Sequence, residues 1–248
     1  MNISSVIITK NEQKNLTKCL ESLSFSDEII IIDDYSNDKT LEIARDYKTK
    51  IFQRKLNRNF AEQRNFGLSK ARSKWIFFID ADEEVPVDLR NEIIQITSDP
   101  LNTKKGFYLK RKDYLYSNKL EYGEWGNQKI LRLIKNGSGK WVRDVHEVLK
   151  VDGKVGTLKS ELNHYPHKTL NEFIKSVNLF STIHASSNKK EEKRTNVFKI
   201  VFYPFFKFIY NWIIRGGFKD KDYGFIMSLM MSFHSFLAWS KLWQETKK

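Results

Sequence analysis

The sequence lacks the features of secreted and disulfide-stabilised proteins. Its 248 residues include a single cysteine, Cys19, which cannot form an intramolecular disulfide and suits a reducing cytosol. The first residues lead straight into a β-branched segment, so we predict that no signal peptide is present. A chain of this length can bury a large core, and we expect one main domain.

Two glycine-rich phosphate-binding motifs are also absent. The chain contains no G-x-x-x-x-G-K-[ST] sequence and no G-x-G-x-x-G sequence after its first predicted strand. These absences exclude a P-loop nucleotide hydrolase and a dinucleotide-binding Rossmann enzyme. The first strand ends instead in Lys10-Asn11-Glu12, which argues against a sugar-nucleotide pyrophosphorylase, because that class carries a glycine-rich loop there.

Acidic residues are scarce relative to basic ones. There are 30 Asp and Glu residues against 43 Lys and Arg residues, which gives a formal net charge of +13. A chain this basic first suggests a nucleic-acid-binding protein. It contains no helix-turn-helix, zinc-finger or RNP pattern, so we expect no nucleic-acid partner.

Basic residues mix with aromatic residues near the C-terminus, but no uninterrupted membrane-spanning run occurs there. The aromatic stretch 197–214 contains two lysines and a proline, whereas a spanning helix needs about 20 mostly apolar residues. We predict a domain at 1–187 and a helical tail at 188–248 that lies on an anionic membrane surface, at the cytoplasmic face of the cell membrane. The alternative is that the tail packs on the domain or on a second subunit, forming a homodimer.

Strand and helix patterns alternate through the first 80 residues. Short apolar runs end at Thr9, Asp33 and Asp80, and helical patterns separate them. This alternation predicts an α/β fold with a doubly wound, mostly parallel sheet. The carboxyl ends of parallel strands meet at the edge where such sheets bind ligands. We therefore expect the polar residues that follow these strands to form a site.

The carboxylate pair Asp80 and Asp82 is the most informative part of that edge. Residues two apart on a strand point to the same side, so both could bind one hard cation that carries a diphosphate. A solvated turn after the strand is the alternative, because Asp-x-Asp sequences arise by chance. A second one occurs at Asp220-Lys221-Asp222.

Four motifs, in order along the chain, carry a family resemblance. They are VIITKNE at 6–12, IIDDYSNDKT at 31–40, QRNFG at 63–67 and FIDADE at 78–83. This set resembles the signatures of family 2 glycosyltransferases, which are inverting enzymes with the GT-A fold. Further segments resemble the subgroup related to lipopolysaccharide-core β-glucosyltransferases: KILRL at 129–133, Trp141, VHE at 145–147, His164-Tyr165 and RGGFKD at 215–220.

The resemblance implies how a nucleotide sugar would be bound. Thr9, Asn11 and Glu12 would lie at the base and ribose. Asp33 would accept a hydrogen bond from the base, usually uracil. Arg64 would bind the diphosphate or organise the aspartates, since its planar fork matches such oxygens.

The resemblance also implies a divalent metal, Mn²⁺ or Mg²⁺. Asp82 would be the direct ligand, and Asp80 would contact the ribose or act through water. His164 is a candidate for a further ligand, and imidazole is better tolerated by Mn²⁺ than by Mg²⁺. The alternative is that His164 is a surface or packing histidine.

An inverting enzyme also needs one carboxylate to take the proton of the acceptor hydroxyl. Glu147 is the first candidate, and Asp144 is the reserve. Glu121 and Glu124 are weaker candidates that could instead line an acceptor pocket.

The resemblance therefore implies a metal-dependent hexosyltransferase that acts in bacterial cell-surface glycan synthesis. The donor would be a nucleotide sugar, with a UDP-sugar favoured, and the acceptor a saccharide or a lipid-linked molecule. Two alternatives stay open at this point. One is a non-catalytic basic protein that binds membranes or nucleic acid, and the other is an inactive glycan-binding relative.

Overall fold

Strands and helices alternate at the start of the chain, as the sequence predicts. The computed structural model describes residues 2–57, 59–126, 128–143, 147–167 and 169–247. The strands are β1 (Ile3–Thr9), β2 (Glu28–Asp33), β3 (Lys50–Gln53), β4 (Trp75–Asp80), β5 (Glu83–Glu84), β6 (Gly106–Leu115), β7 (Asn118–Lys119), β8 (Gln128–Lys135), β9 (Gly139–Val142), β10 (Val148–Val151) and β11 (Val155–His167). The helices are α1 (Leu16–Ser22), α2 (Thr40–Asp46), α3 (Phe60–Lys70), α4 (Val87–Ser98), α5 (Leu170–Lys190), α6 (Val197–Ile209) and α7 (Lys221–Thr246). A π-helical turn (Tyr210–Ile214) and a 3-10 turn (Gly217–Asp220) separate α6 from α7.

One large sheet runs through the described residues, with the strand order β3-β2-β1-β4-β8-β6-β11-β5 and β7 paired to β6. β1 lies between β2 and β4 and is parallel to both, β3 is parallel to β2, and β8 joins β4 in the antiparallel sense. In this register Thr9 lies beside Asp33, and Ile8 lies beside Asp80. The predicted α/β class is confirmed, and the ends of three strands meet at one edge.

The central strand β4 is buried on both faces, which explains its unbroken apolar sequence. Phe77 and Ile79 belong to one core cluster, and Ile76 and Phe78 belong to another. Packing on both faces fixes the strand firmly. The acidic turn that follows Asp80 therefore starts from a rigid base.

Helix α3 approaches the sheet closely, and Gly67 makes this approach possible. A Cβ atom at residue 67 would overlap the side chain of Val6 and would lie 3.2 Å from Ile32 Cγ1. Arg64 and Asn65 precede this contact by less than one helical turn, so the contact fixes their position against the sheet.

The chain divides into two compact units. The first comprises Met1–Arg111 and Lys129–His164, and it contains the parallel strands. The second comprises Lys112–Gln128 and Tyr165–Lys248. The second unit has its own apolar core, formed by Leu115, Leu120, Trp125, Phe173, Val177, Met227 and Met230.

This division differs from the predicted border between 187 and 188. That border falls inside α5, because residues 186–190 of the polar run form the end of this helix and do not link two domains. Lysines in the last turn of a helix are favourable beside its free carbonyl groups. The segment 188–248 also shares a core with residues that precede it, so it is not a separate body.

The helical segment Val197–Ile214 is strongly apolar and mostly exposed. Within the described ranges it is the one helix that is long and apolar enough, by length and composition alone, to cross a membrane. Only 11% of it is buried. The second unit therefore combines a buried core with an exposed apolar helix.

Candidate active site

The ends of β1 and β2 are joined by a hydrogen-bond network centred on Asp33. The Thr9 hydroxyl donates to Asp33 Oδ1 over 3.2 Å, and the Gln53 amide donates to Oδ2 over 3.1 Å. The backbone N–H and the hydroxyl of Ser36 donate to the same carboxylate, which is fully buried. A carboxylate has about four acceptor positions, so Asp33 is saturated here. A nucleotide base could bind Asp33 only if one of these donors turned away.

Asn11 and Glu12 follow β1 in the loop that leads to α1. Asn11 has a φ of 57°, in the left-handed region that asparagine tolerates, and its Oδ1 accepts from the backbone N–H of Asn37 over 2.9 Å. The partly buried Glu12 carboxylate accepts from Asn15 over 2.8 Å. Burial raises the pKa of Glu12 to about 7, and the charge of Asp82 adds to this rise. Glu12 therefore lies within electrostatic reach of the acidic turn after β4.

Asp80, the last residue of β4, is held between two buried arginines. Arg64 Nη2 lies 2.8 Å from Asp80 Oδ1, and Arg132 Nη2 lies 2.6 Å from Oδ2. Each arginine side chain is only 6% exposed. Burial acts to raise the pKa of Asp80, but the two guanidinium charges outweigh it and hold this pKa well below its usual range. Asp80 is therefore ionised, with both oxygens engaged.

The buried carboxylate Glu83 provides a second counter-charge for Arg132. Its Oε1 lies 3.2 Å from Arg132 Nη2, and its Oε2 accepts from the Asp80 backbone N–H over 2.8 Å. Burial raises the pKa of Glu83 although Arg132 opposes the rise. The turn from residue 80 to residue 83 is thus closed by a hydrogen bond from the Asp80 backbone to the Glu83 side chain and by a cation that both carboxylates share.

Asp82 and His164 come from distant parts of the sequence and are adjacent in the structure. Asp82 Oδ2 lies 3.4 Å from His164 Nε2. The β5–β11 ladder places His164 beside Glu83, which explains how the histidine reaches this turn. Burial acts to raise the pKa of Asp82, but the His164 imidazole and the charge of Arg111 lower it overall. The two predicted metal ligands are therefore within reach of one ion.

Glu147 lies on the other side of the Arg64 guanidinium group. Its Oε1 is 3.1 Å from Arg64 Nε, and its side chain is 18% exposed. One arginine thus joins the predicted base to the carboxylate of Asp80. The reserve candidate for the base, Asp144, lies outside the described residues.

This edge of the sheet carries more negative than positive charge. The carboxylates are Glu12, Asp80, Asp82, Glu83 and Glu147, whereas the arginines that act on them are Arg64, Arg132 and Arg111. Such an excess favours a divalent cation. Among the residues that the structure describes, no group of three or more His, Cys, Asp or Glu side chains is arranged to hold a metal. A metal held by Asp82 and His164 would have to take its other ligands from water and from a bound substrate.

Residues 4–130, which are about half of the chain, match the model of a family described as glycosyl transferase family 2. The chain belongs to this family. It is therefore a glycosyltransferase, and the resemblance of its four ordered motifs is confirmed.

Individual relatives agree with this assignment over nearly the whole chain. This chain is 30% identical over 251 residues to the lipopolysaccharide core biosynthesis glycosyltransferase LpsC of Rhizobium meliloti strain 1021. The aligned residues cover 98% of this chain and 92% of that protein. The chain is 25% identical over 252 residues to a glycosyltransferase of Rickettsia typhi, with 97% and 86% covered. A crystal structure of residues 1–349 of S. aureus TarS matches with a TM-score of 0.50 at 13% identity, over 100% of this chain and 92% of that one. The expected GT-A fold is confirmed.

The weaker candidates for the base have structural partners in the second unit. Glu124 pairs with Lys207, and Glu121 pairs with Lys119. Asp220, from the second Asp-x-Asp sequence, accepts hydrogen bonds from the backbone N–H groups of Glu121 and the next residue. Asp220 therefore holds this loop in place.

Arg132 and Glu83 have no role in the sequence-based predictions, although both lie inside the motifs that carry the resemblance. One signal was present. Arg132 interrupts the apolar run of β8, and a charged residue in a buried strand requires a counter-charge. The sequence alone does not say which carboxylate provides it.

The pKa of Glu12 leads to a prediction about stability in the absence of divalent metal. Its folded value of about 7 lies above the usual 4.5, so its contribution to stability is fully present below pH 4.5 and is lost as pH rises through 7. Glu12→Gln should therefore raise the melting temperature more at pH 8 than at pH 5. Each kcal/mol gained in the free energy of unfolding should raise the melting temperature by roughly 2–4 °C. Thermal unfolding checks this, with the exposed Glu62→Gln as control. An equal rise in melting temperature at both pH values would contradict the raised pKa of Glu12.

Proposed function

We propose that this enzyme is a metal-dependent inverting hexosyltransferase that uses a nucleotide sugar, with a UDP-sugar favoured. One observation carries the proposal: the Asp82–His164 pair and the Glu147 carboxylate meet at one sheet edge around Asp80 and Arg64. The acceptor is a saccharide or a lipid-linked molecule in bacterial cell-surface glycan synthesis. The name of the LpsC relative supports this acceptor class.

Asp82 and His164 would hold a divalent metal, Mn²⁺ or Mg²⁺. When bound, such an ion neutralises charge on the leaving diphosphate. The mixed oxygen and nitrogen donor set favours Mn²⁺. Because Asp80 already binds two guanidinium groups, we assign it to positioning and to the ribose, and not to the metal.

Buried arginine nitrogens support diphosphate binding at the same place. Arg64 Nη1 and Arg132 Nε and Nη1 have no hydrogen-bond partner among the described residues. Unpaired buried donors on a cation are costly, so a phosphate oxygen that reached them would be bound favourably. We assign the base and ribose to Thr9, Asn11, Glu12 and Asp33, with one donor of Asp33 turning away when the base binds.

Glu147 is the proposed general base. The acceptor oxygen attacks the anomeric carbon while the bond from that carbon to the diphosphate oxygen breaks, and the configuration inverts. The proton of the acceptor hydroxyl passes to the Glu147 carboxylate, and the nucleoside diphosphate leaves with the bonding electron pair. Arg64 binds Oε1, so we assign proton transfer to Oε2. The ion pair with Arg64 holds this carboxylate in place until the acceptor arrives.

The metal assignment predicts that Asp82→Asn abolishes sugar transfer without unfolding the protein. The amide keeps the shape of the side chain but removes the charge that binds a hard cation, so the barrier should rise by several kcal/mol. The measurement is nucleotide release from UDP-sugars with a saccharide acceptor, with and without chelator. Asp88→Asn, an exposed change of equal charge on α4, is the control. A wild-type rate in excess chelator would exclude the metal.

The base assignment predicts that Glu147→Gln slows turnover by roughly 10²–10⁴-fold. Donor affinity should change little, because the base acts on the acceptor. Steady-state kinetics and nucleotide binding separate the two effects. Glu62→Gln, which removes a surface ion pair with Arg54, controls for the loss of one charge. If Asp144→Asn were the crippling change and Glu147→Gln were mild, the base would be Asp144.

We further propose that the second unit binds an anionic membrane surface at the cytoplasmic face of the membrane. The helix at Val197–Ile214 exposes more than half of many apolar side chains, including Val197, Phe198, Val201, Phe205, Ile213 and Ile214. Between residues 189 and 221 the sequence has nine Lys or Arg residues against three acidic ones. An apolar helix with basic ends suits a position in the lipid headgroup region, where a lipid-linked acceptor would be met.

This surface predicts reversible binding to anionic vesicles that weakens as salt rises, because exposed charges are screened within about 8 Å at physiological ionic strength. Phe198→Asp and Phe205→Asp should each reduce co-sedimentation of the full chain. Leu101→Asp, which changes an 84% exposed apolar residue of the first unit, should not. Absence of binding at low salt, with a dimer that these variants dissociate, would assign the helix to a homodimer interface. Resistance to salt and alkaline extraction would indicate insertion across the membrane.

A further inference from the structure

The proposed base lies on a small hairpin that is not part of the large sheet. β9 and β10 pair only with each other in the described sheets, and Glu147 immediately precedes β10. The position of Glu147 therefore depends on what fastens this hairpin to the rest of the first unit. Apart from the short links to β8 and β11, side-chain contacts do so, because no strand of the large sheet pairs with the hairpin in the described part of the chain.

The side chain of Asn65 makes one such contact, in addition to the apolar packing of Trp141 and Leu149. Asn65 Nδ2 donates to the backbone carbonyl of Trp141 over 2.8 Å, and the backbone N–H of Trp141 donates to Asn65 Oδ1 over 2.9 Å. A primary amide has one donor and one acceptor side by side, so it can pair with a strand residue as a neighbouring strand would. α3 thereby takes the place of a strand beside β9.

The indole of Trp141 completes the connection. The ring is buried and meets Phe78 edge to face, with 5.1 Å between centroids. The Arg64 guanidinium lies 4.7 Å from the centroid of the indole, a cation–π distance. The same guanidinium binds Glu147 Oε1. Trp141 therefore supports the cation that contacts the proposed base, and Asn65 fixes the strand that carries Trp141.

We propose that Asn65 is a positioning residue that sets the place of Glu147, by holding the β9–β10 hairpin through the backbone of Trp141. This inference rests on the proposed role of Glu147 as base. The amide does not touch substrate in this assignment. It acts because a base displaced by about 1 Å can lose on the order of 10² in rate.

Asn65→Asp is the sharpest variant. Aspartate has the same shape and can still accept from the Trp141 N–H, but it loses the donor and places a carboxylate against the Trp141 carbonyl. We expect kcat for transfer to fall by roughly 10–100-fold, with donor KM changed by less than about twofold. Asn65→Ala, which removes both hydrogen bonds without adding charge, should act in the same direction.

Asn102→Asp is a matched control. Asn102 Nδ2 also donates to a backbone carbonyl, that of Ile96 over 3.1 Å, and Asn102 Oδ1 accepts from the backbone N–H of Lys104 over 3.0 Å, but this residue lies between α4 and β6, outside the hairpin. The same chemical change there should leave kcat near the wild-type value. A loss of rate equal to that of Asn65→Asp would mean that any weakened tie slows the enzyme.

A double-mutant cycle with Glu147→Gln tests whether Asn65 acts through the base. When residue 147 cannot act as a base, its position no longer affects the rate. Adding Asn65→Asp to the Glu147→Gln variant should therefore lower kcat by less than about twofold. Losses that multiply would overturn the inference. A raised donor KM with unchanged kcat would overturn it as well, because that pattern belongs to donor binding.

Hydrogen exchange gives a readout that does not depend on activity. Amides at 139–143 and 147–151 should exchange faster in Asn65→Asp than in wild type or Asn102→Asp. Unchanged exchange would show that Asn65 does not hold the hairpin, but it would not contradict the role of Glu147 as the base. A wild-type turnover rate in Glu147→Gln would show that Glu147 is not the base. It would also overturn the catalytic part of this inference, even if Asn65→Asp increased hydrogen exchange as expected.

Discussion

The candidate site depends on two arginines that are buried at the end of one strand. Arg64 and Arg132 are almost inaccessible, and each places a guanidinium nitrogen on an oxygen of Asp80. Burying a cation costs several kcal/mol unless a carboxylate compensates it, and losing one partner of a buried pair typically costs 3–5 kcal/mol. Asp80 is therefore the fixed point around which the other charged side chains are arranged. Arg64 also pairs with Glu147, and Arg132 also pairs with Glu83. The acidic turn and the proposed base therefore belong to one electrostatic framework of connected ion pairs.

This framework separates two carboxylates that look equivalent in the sequence. Asp80 is occupied by arginines, whereas Asp82, two residues later, lies beside His164. An arginine cannot give up its charge at physiological pH, so it competes permanently with a metal for the oxygens of Asp80. An imidazole can deprotonate and become a ligand. The structure thus supports different roles for Asp80 and Asp82, although a periodicity of two places them on the same side of a strand.

The parts that could be predicted from sequence are those determined by local pattern. The apolar runs ending at Thr9, Asp33 and Asp80 indicate buried parallel strands, and parallel strands bring their ends together whatever the loops do. Contacts between distant segments could not be derived in this way. Asn65 and Trp141 are 76 residues apart, and Asp80 and Arg132 are 52 apart. His164 is a partial exception, because the family resemblance suggested its role while only the β5–β11 register explains its position.

Composition was least informative in the second unit, where aromatic and basic residues are mixed throughout. Trp125 and Phe198 are both large aromatic residues, and composition alone does not distinguish their environments. In the structure Trp125 is buried in the core of that unit, whereas Phe198 is 56% exposed. The polar run at 186–193 suggests a linker, but in the structure it ends a helix whose earlier turns contribute Phe173 and Val177 to the same core. The segment after this run therefore cannot be detached without opening the core. What remains exposed on α6 is the part that the core does not need, and an exposed apolar surface of this kind is typical of a site that contacts a protein or a membrane.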